Sequence, residues 1–506
     1  MNLRLKSFTN RMMAYPQRTS RRHLEFCDRG SRLKTRFLGI DCEGHASRSR
    51  EIKMIYQAET GNFTIALAGD TMLTRKLTPF TEPRFLALRE ILRSADAAFA
   101  NLEGTVHDWD EGTPGITQGT FMTTDPNLLE DLKWLGINLI CCANNHAFDY
   151  GEGGVLANIK HLDSAGLAHA GTGKNLAEAR APAYLDTPNG RVALVATTAT
   201  FRPWNQAGEQ RPDLRGRPGI NPLGFQTTHH VDPAAFEQLK RISRELGFEK
   251  SHERARKHFY SDKEIPDAKS AELSLLGSRF VGSEGFSIAT QVNERDLQDN
   301  LRWIREARRQ ADWVVVSVHC HEFGGASLLT AATRAELEEP ADFIVEFAHG
   351  AIDAGADIVV GHGPHFPLGI EIYKERPILY SVGNLIFQNE TVGFFPADAY
   401  ERFDLDLKAT PSDFLDARTN GGKKGHPSEP AYWENMFALC EFSRSKLTTI
   451  KIHPIDQGFG RARPQRGRPL LAEGEVANRV LGRVARLSKR YGSEVVNRDG
   501  VGTIEL

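Results

Sequence analysis

The sequence of 506 residues has only six cysteines, Cys27, Cys42, Cys141, Cys142, Cys320 and Cys440. None forms a Cys-x-x-Cys pair and two are adjacent, which argues against a disulfide framework and against a cysteine-type zinc site. Long apolar runs are also missing. The longest, such as 313–318, reach strand length and stop well short of the roughly 20 residues that span a bilayer, so no transmembrane segment is expected. Nor is there a strong net charge: the formal value is −2. That balance hides an asymmetry, because residues 1–53 carry 13 Lys/Arg against 5 Asp/Glu and leave the remainder acidic. An acidic body argues against a nucleic-acid binder, whose basic face belongs on the folded part.

Residues 1–60 read as a basic, disordered leader. Within it, Thr19-Ser20-Arg21-Arg22-His23-Leu24 is similar to a twin-arginine export signal, but Glu25-Phe26-Cys27-Asp28-Arg29-Gly30 follows where an apolar segment is required. The expected compartment is the cytoplasm.

What is present is a chain with 40% hydrophobic and 25% charged residues, enough to bury a core. From residue 63 onward, short apolar runs alternate with helical patterns, which predicts an α/β fold. Strands are expected at 63–68, 97–100, 138–143, 191–196, 313–318 and 357–360, and helices at 83–93, 127–135, 154–165, 295–309 and 334–354. Hairpins are expected to turn at Asn189-Gly190 and Glu375-Arg376. Proline, glycine and charge dominate 202–290 and 409–430, which read as insertions in one domain spanning 61–506. The first insertion is expected to hold helices at 233–246 and 252–260. Strands at 437–442 and 447–453 and an amphipathic helix at 474–487 complete the reading.

The chemistry lies just beyond the strands: Gly69-Asp70, Asn101-Leu102-Glu103, Asn144-Asn145-His146, His319, and Gly361-His362-Gly363-Pro364-His365. Open α/β sheets bind ligands past the carboxyl ends of their strands, so five strand ends deliver these side chains to one rim. Carboxylates can bridge two cations, an amide oxygen is a neutral hard ligand, and imidazole suits Zn, Fe or Mn. A mixed O/N set without cysteine suits a hydrolytic site with two divalent metals. Gly69 and Gly361, each beside such a residue, are expected to let the backbone turn sharply.

Gly69-Asp70-Thr71-Met72, Asn101-Leu102-Glu103-Gly104, Ala143-Asn144-Asn145-His146-Ala147-Phe148-Asp149-Tyr150-Gly151, Val318-His319, Gly361-His362-Gly363-Pro364-His365 and Tyr380-Ser381-Val382-Gly383-Asn384-Leu385-Ile386-Phe387 together resemble the bacterial capsule-synthesis CapA (PgsA) family. That family is associated with poly-γ-glutamate synthesis and belongs to the calcineurin-like metallophosphoesterase superfamily. The resemblance covers 63–201, 292–390 and the tail after 437. It implies a four-layer αββα sandwich with a polar insertion, and a site binding two divalent ions (Mn, Fe or Zn). By position it implies that Asp70, Glu103, Asn145, His319, His362 and His365 are metal ligands, with Glu103 the bridging carboxylate, and that His146 donates a proton to the leaving group.

Two departures from the superfamily pattern stand out. Met72 occupies the place of the first-motif histidine, and Pro364 lengthens the last motif. After His319, Cys320-His321-Glu322 replaces the Trp-Gly of many relatives, which makes His321 and Glu322 candidate extra ligands or substrate contacts. Asn384 is either a turn asparagine or a partner of a ligand histidine. Asp149 suits a helix cap, and Gly171-Thr172-Gly173-Lys174 suits helix capping better than a nucleotide loop. Arg202, Arg211, Arg215 and Arg217 could neutralise an anionic substrate. Two functions follow from the resemblance. One is a metal-dependent hydrolase acting on poly-γ-glutamate or a phosphoester. The other is a non-catalytic subunit that binds the polyanion for a membrane synthase.

Overall fold

Asn62–Met72 is buried on both faces, and its alternating residues enter different cores. Ile65 and Leu67 join one apolar cluster, whereas Ala66 and Ala68 join another. Side chains of a strand alternate between faces, so this strand lies inside a stack of layers. Trp313–His319 repeats the pattern: Trp313 and Val315 enter the cluster that holds Ile65, and Val314, Val316 and Val318 enter a third.

The computed structural model describes residues 61–115, 119–258, 271–324, 326–327 and 337–506. The leader expected over 1–60 lies outside the described residues, as do the end of the helix expected over 252–260 and the start of the one expected over 334–354.

A ten-stranded sheet runs in the order Val496–Arg498, Val501–Glu505, Lys446–Asp456, Glu434–Ser443, Asn62–Met72, Ala97–Leu102, Leu139–Cys141, Ala168–Ala170, with Asn384–Phe387 also paired to Asn62–Met72 and Leu470–Leu471 to Lys446–Asp456. A six-stranded sheet runs Ile370–Tyr373, Arg376–Leu379, Ile358–His362, Trp313–His319, Gly190–Thr198, Ala183–Thr187. The core between them holds Phe63, Trp313 and Phe442, with Phe63 stacked on Trp313 at 4.6 Å. On the outer face of the first sheet lie Pro83–Ser94, Leu129–Leu135 and Gly151–Ala165, which bury Leu88, Leu132 and Leu162. On the outer face of the second lie Glu294–Arg308 and Asp342–Asp353, which bury Leu301, Ile304 and Phe347. The result is a four-layer αββα arrangement. Gly474–Ser488 adds Val480, Leu481 and Val484 to the intersheet core.

Both expected hairpins form, each turning one residue earlier than expected: the pairs Thr187–Gly190 and Tyr373–Arg376 close around Pro188-Asn189 and Lys374-Glu375, the latter pair at positive φ. The last helix of the outer layer starts only at Asp342, because Pro340 lacks the N–H a helix needs and instead bridges Phe323. Between 202 and 290 a small sheet forms in the order Glu272–Leu275, Ser278–Gly282, Phe225–Val231, Ser287–Val292, beside Pro233–Glu245 and Phe248–His258. Its strands are half-exposed and polar, as in Gln226-Thr227-Thr228-His229-His230, so they carry no apolar alternation to read.

Candidate metal centre

Strand register assembles the site. In the parallel pairing of Trp313–His319 with Ile358–His362, His319 lies opposite His362. In the pairing of Asn62–Met72 with its neighbours, Asp70 lies opposite Asn101 on one side and Asn384 on the other. Asp70, Asn101, His319 and His362 are carboxyl-terminal strand positions, whereas Asn384 opens the strand Asn384–Phe387. Gly69 and Gly361 stay within their strands and do not turn the chain. Their role is close approach: a Cβ on Gly69 would sit 1.7 Å from the Gly383 carbonyl oxygen, and one on Gly361 would sit 2.2 Å from that of Tyr380. The sharp turn falls at Gly363, φ +113°, whose N–H donates to Asp70 Oδ2 at 3.0 Å.

Two adjoining groups of potential ligands result, Asp70/His319/His362 and Glu103/His321/His365, each with donor atoms within 4.8 Å of one another. Asp70 Oδ1 lies 3.3 Å from His362 Nδ1 and 3.6 Å from His319 Nδ1, and its Oδ2 lies 3.2 Å from His365 Nδ1. Glu103 Oε1 lies 4.0 Å from His319 Nε2, and Oε2 lies 3.7 Å from His365 Nδ1. Both carboxylates therefore face imidazoles of both groups. His321 Nε2 is 3.0 Å from His319 Nε2, so the histidine with no counterpart in the resembled pattern stands at the centre.

Several neighbours hold these groups in place. Asn101 donates to Asp70 Oδ1 at 2.8 Å, and Ser317 Oγ lies 2.8 Å from His362 Nε2. Asn384 Oδ1 is 3.0 Å from His365 Nδ1, while its Nδ2 donates to the His365 carbonyl. That double contact braces a residue in the left-handed region, φ 65°, and decides Asn384 as a partner of the histidine. Asn144 accepts the His146 N–H and donates to the Leu102 carbonyl.

Burial and close contact shift these groups in opposite directions. Burial opposes ionisation of Asp70, but hydrogen bonds from His319, His362 and His365 outweigh it and hold the carboxyl well below its usual range. Burial, then the charges of Asp70 and Asp149, push Glu103 well above its own. Burial lowers His319 to about 4, against the pull of Asp70. For His362, burial is outweighed by its bond to Asp70 and it rises to about 9. Burial, then His319 and His365, depress His321. Both Glu103 carboxylate oxygens and Asn145 Oδ1 are buried without a hydrogen-bond partner. Buried oxygens are normally satisfied, and three unsatisfied acceptors beside clustered imidazoles fit cation ligation.

A cavity of about 510 Å³ opens beside these groups, lined by Asn145, His146, His321 and His365. Glu322 also lines it, but its carboxylate accepts from Thr200 Oγ1 at 2.9 Å and does not join either group. Asp149 is not a helix cap: the cap position is Tyr150, and Asp149 Oδ2 lies 2.6 Å from His146 Nδ1. Of the four insertion arginines, only Arg202 lines the cavity, while Arg211 pairs with Asp213 and Arg217 donates to the Gln206 carbonyl. At Gly171-Thr172-Gly173-Lys174 the next residue, Asn175, caps Leu176–Arg180.

Among the cavity residues that sequence reasoning missed are Arg418 and His426, both from the second insertion. The His426 ring lies 5.3 Å from that of His365 and 5.2 Å from Phe387. Nothing local marks either residue, since the insertion reads as polar loop.

The profile of the bacterial capsule synthesis protein PGA_cap family matches residues 64–389. The chain belongs to that family. The uncharacterized protein y4sH of Sinorhizobium fredii (strain NBRC 101917 / NGR234) is 34% identical over 453 residues, covering 88% of this chain and 93% of that protein. The PGA biosynthesis protein CapA of Bacillus subtilis (strain 168) is 24% identical over 64% of this chain and 62% of its own length. A probable polyglutamine synthesis accessory protein of Mycobacterium tuberculosis (strain CDC 1551 / Oshkosh) is 26% identical over 62% of this chain and 60% of its own. The PGA_cap match takes in Asp70, Glu103, His146 and the histidines of both candidate groups, and ends before Arg418 and His426. No helix among the described residues is long and apolar enough to cross a membrane.

Proposed function

We propose that this PGA_cap protein is a metal-dependent hydrolase acting on an anionic compound of capsule synthesis, a γ-glutamyl polymer or a phosphoester. The observation that carries the reading is the adjoining pair of ligand groups with the unpartnered Glu103 and Asn145 oxygens beside them. In this reading Asp70, His319 and His362 hold one divalent cation, and Glu103, His321, His365 and Asn145 hold a second. Mn, Fe and Zn all suit such donors. Bound there, the ions supply water activation and neutralisation of developing charge.

The chain's own residues do the rest. His146 keeps Nε2 toward Glu103 Oε1, 3.8 Å away, and lines the cavity. It donates the Nε2 proton to the departing atom, the oxygen of a phosphoester or the nitrogen of a γ-glutamyl amide, while Asp149 accepts the Nδ1–H and fixes the ring. Asn144 holds the His146 backbone, so adjacent residues Asn145 and His146 serve different partners.

A non-catalytic reading, polyanion binding for a membrane synthase, draws on Met72 at the first-motif position and on the accessory role in the mycobacterial relative's name. Elemental analysis of the wild type beside His362→Ala, followed by assays on phosphoesters and γ-glutamyl polymers, tests both. Two equivalents of metal, reduced in the variant, with hydrolysis abolished by chelation, are expected. Polymer binding without turnover would favour the accessory role, and a wild type that takes up no metal would overturn the hydrolase.

A further inference from the structure

The second insertion reaches the cavity through a rigid element. Pro411–Thr419 is capped by a reciprocal Thr410–Asp413 box. It buries Phe414 and Leu415 against Phe121 and Tyr150, the sequence neighbours of Thr120 and Asp149. Its outer side is tied down by Arg463, which donates to Ser412 Oγ at 3.0 Å and Asp416 Oδ1 at 2.7 Å. Arg418, in the last turn, is half-buried and lines the same cavity as His146, Asn145, His321 and His365.

Its guanidinium donates to the neutral hydroxyl of Thr120 and has no carboxylate partner among the described residues. The two carboxylates that line the cavity are engaged elsewhere, Asp149 with His146 and the Met122 N–H, and Glu322 with Thr200. A partly desolvated cation without a counter-charge is costly, and Arg402 adds like charge nearby. A guanidinium carries five N–H donors in a planar fork. Thr120 takes one of them, so a bidentate pair is left for an oxyanion. Thr120 follows Gly119, where a Cβ would lie 3.4 Å from His146 Cε1, so the Arg418–Thr120 contact borders the ring assigned as proton donor.

We propose that Arg418 is the anion-recognition residue of this cleft, gripping a carboxylate or phosphoryl group of the substrate beside the bond that is cut. The inference rests on the hydrolase reading for its substrate, but the binding it describes is measurable without turnover. A γ-glutamyl polymer presents a free α-carboxylate on every residue, and a phosphoester presents non-bridging oxygens. Either satisfies the fork.

The test is calorimetric titration of wild type, Arg418→Gln and Arg418→Lys with a γ-glutamyl oligopeptide and, separately, with inorganic phosphate. Metal content is measured on the same samples, and circular dichroism checks the fold. Arg418→Gln is expected to weaken one or both by about tenfold or more, as loss of a charge-assisted pair does, with Arg418→Lys intermediate and metal content unchanged. Weakening confined to the oligopeptide assigns the carboxylate, and weakening confined to phosphate assigns the phosphoryl group. Unchanged affinity for both in a folded Arg418→Gln protein overturns the proposal, as does a wild type that binds neither. Absence of metal from the wild type would sink the hydrolase reading while leaving the Arg418 comparison intact.

Discussion

Asp149 Oδ2 lies 2.6 Å from His146 Nδ1 and accepts the Met122 N–H at 2.9 Å. A carboxylate pinned by a backbone donor accepts the Nδ1–H and holds the imidazole in one orientation, with Nε2 left to face the cavity. Replacing Asp149 with Asn leaves the shape but removes the charge behind the ring. With the His146 assignment correct, kcat falls roughly 10- to 100-fold at unchanged metal content. An Asp149→Asn enzyme with wild-type kcat would remove His146 from the mechanism.

His321 and His362 belong to different ligand groups. His321→Ala and His362→Ala are each expected to cost about one equivalent of metal, and the double variant to retain little. Inductively coupled plasma analysis after equilibrium dialysis reads this directly. Two full equivalents in His321→Ala would leave the second group one imidazole short of the proposal.

The Gly383 carbonyl accepts the Asp70 N–H at 2.9 Å, in the space that a Gly69 side chain would fill. Gly69→Ala forces the two segments apart. Destabilisation of about 2 kcal/mol is expected, the usual size of an overpacking penalty, with weakened metal uptake. Gly393→Ala, where nothing lies within 4 Å, is the control. Urea denaturation of both variants measures the difference, and equal stabilities would refute the close-approach argument.

Glu111 Oε1 pairs with Lys160 Nζ at 2.6 Å, and its Oε2 accepts the Asp108 N–H at 2.7 Å. The Lys160 bond leads the causes that lower its carboxyl to about 2, against burial. A depressed carboxylate stabilises the fold above its unfolded value, near 4.5, and loses that contribution as pH falls toward 2. Glu111→Gln is therefore expected to be less stable than wild type at pH 7, by about 1 kcal/mol after solvent screening. The gap closes between about pH 4.5 and 2. Thermal melts across that range check it; a gap that persists at pH 2 would mean the charge is not its source.

The layered α/β core was legible because its signals are local. Apolar runs such as 313–318 are buried on both faces and read as strands from composition alone, and Asp70, His319 and His362 stand at strand ends where chain order already puts them. Asn384 was ambiguous for lack of a partner. Its pairing with His365 became visible only when strand register set Asn384 beside Asp70.

Family, alternating core and the set of candidate ligands were readable from the chain alone, since periodicity and strand-end position are properties of neighbouring residues. Only the tertiary structure decided that His321 joins Glu103 and His365, that Asp149 serves His146 instead of a helix end, and that Arg418 crosses nearly 300 residues to reach Thr120. Those outcomes depend on which strands are neighbours and on how a polar insertion packs back on the sheet. Long-range packing leaves no period in the chain from which they could be read.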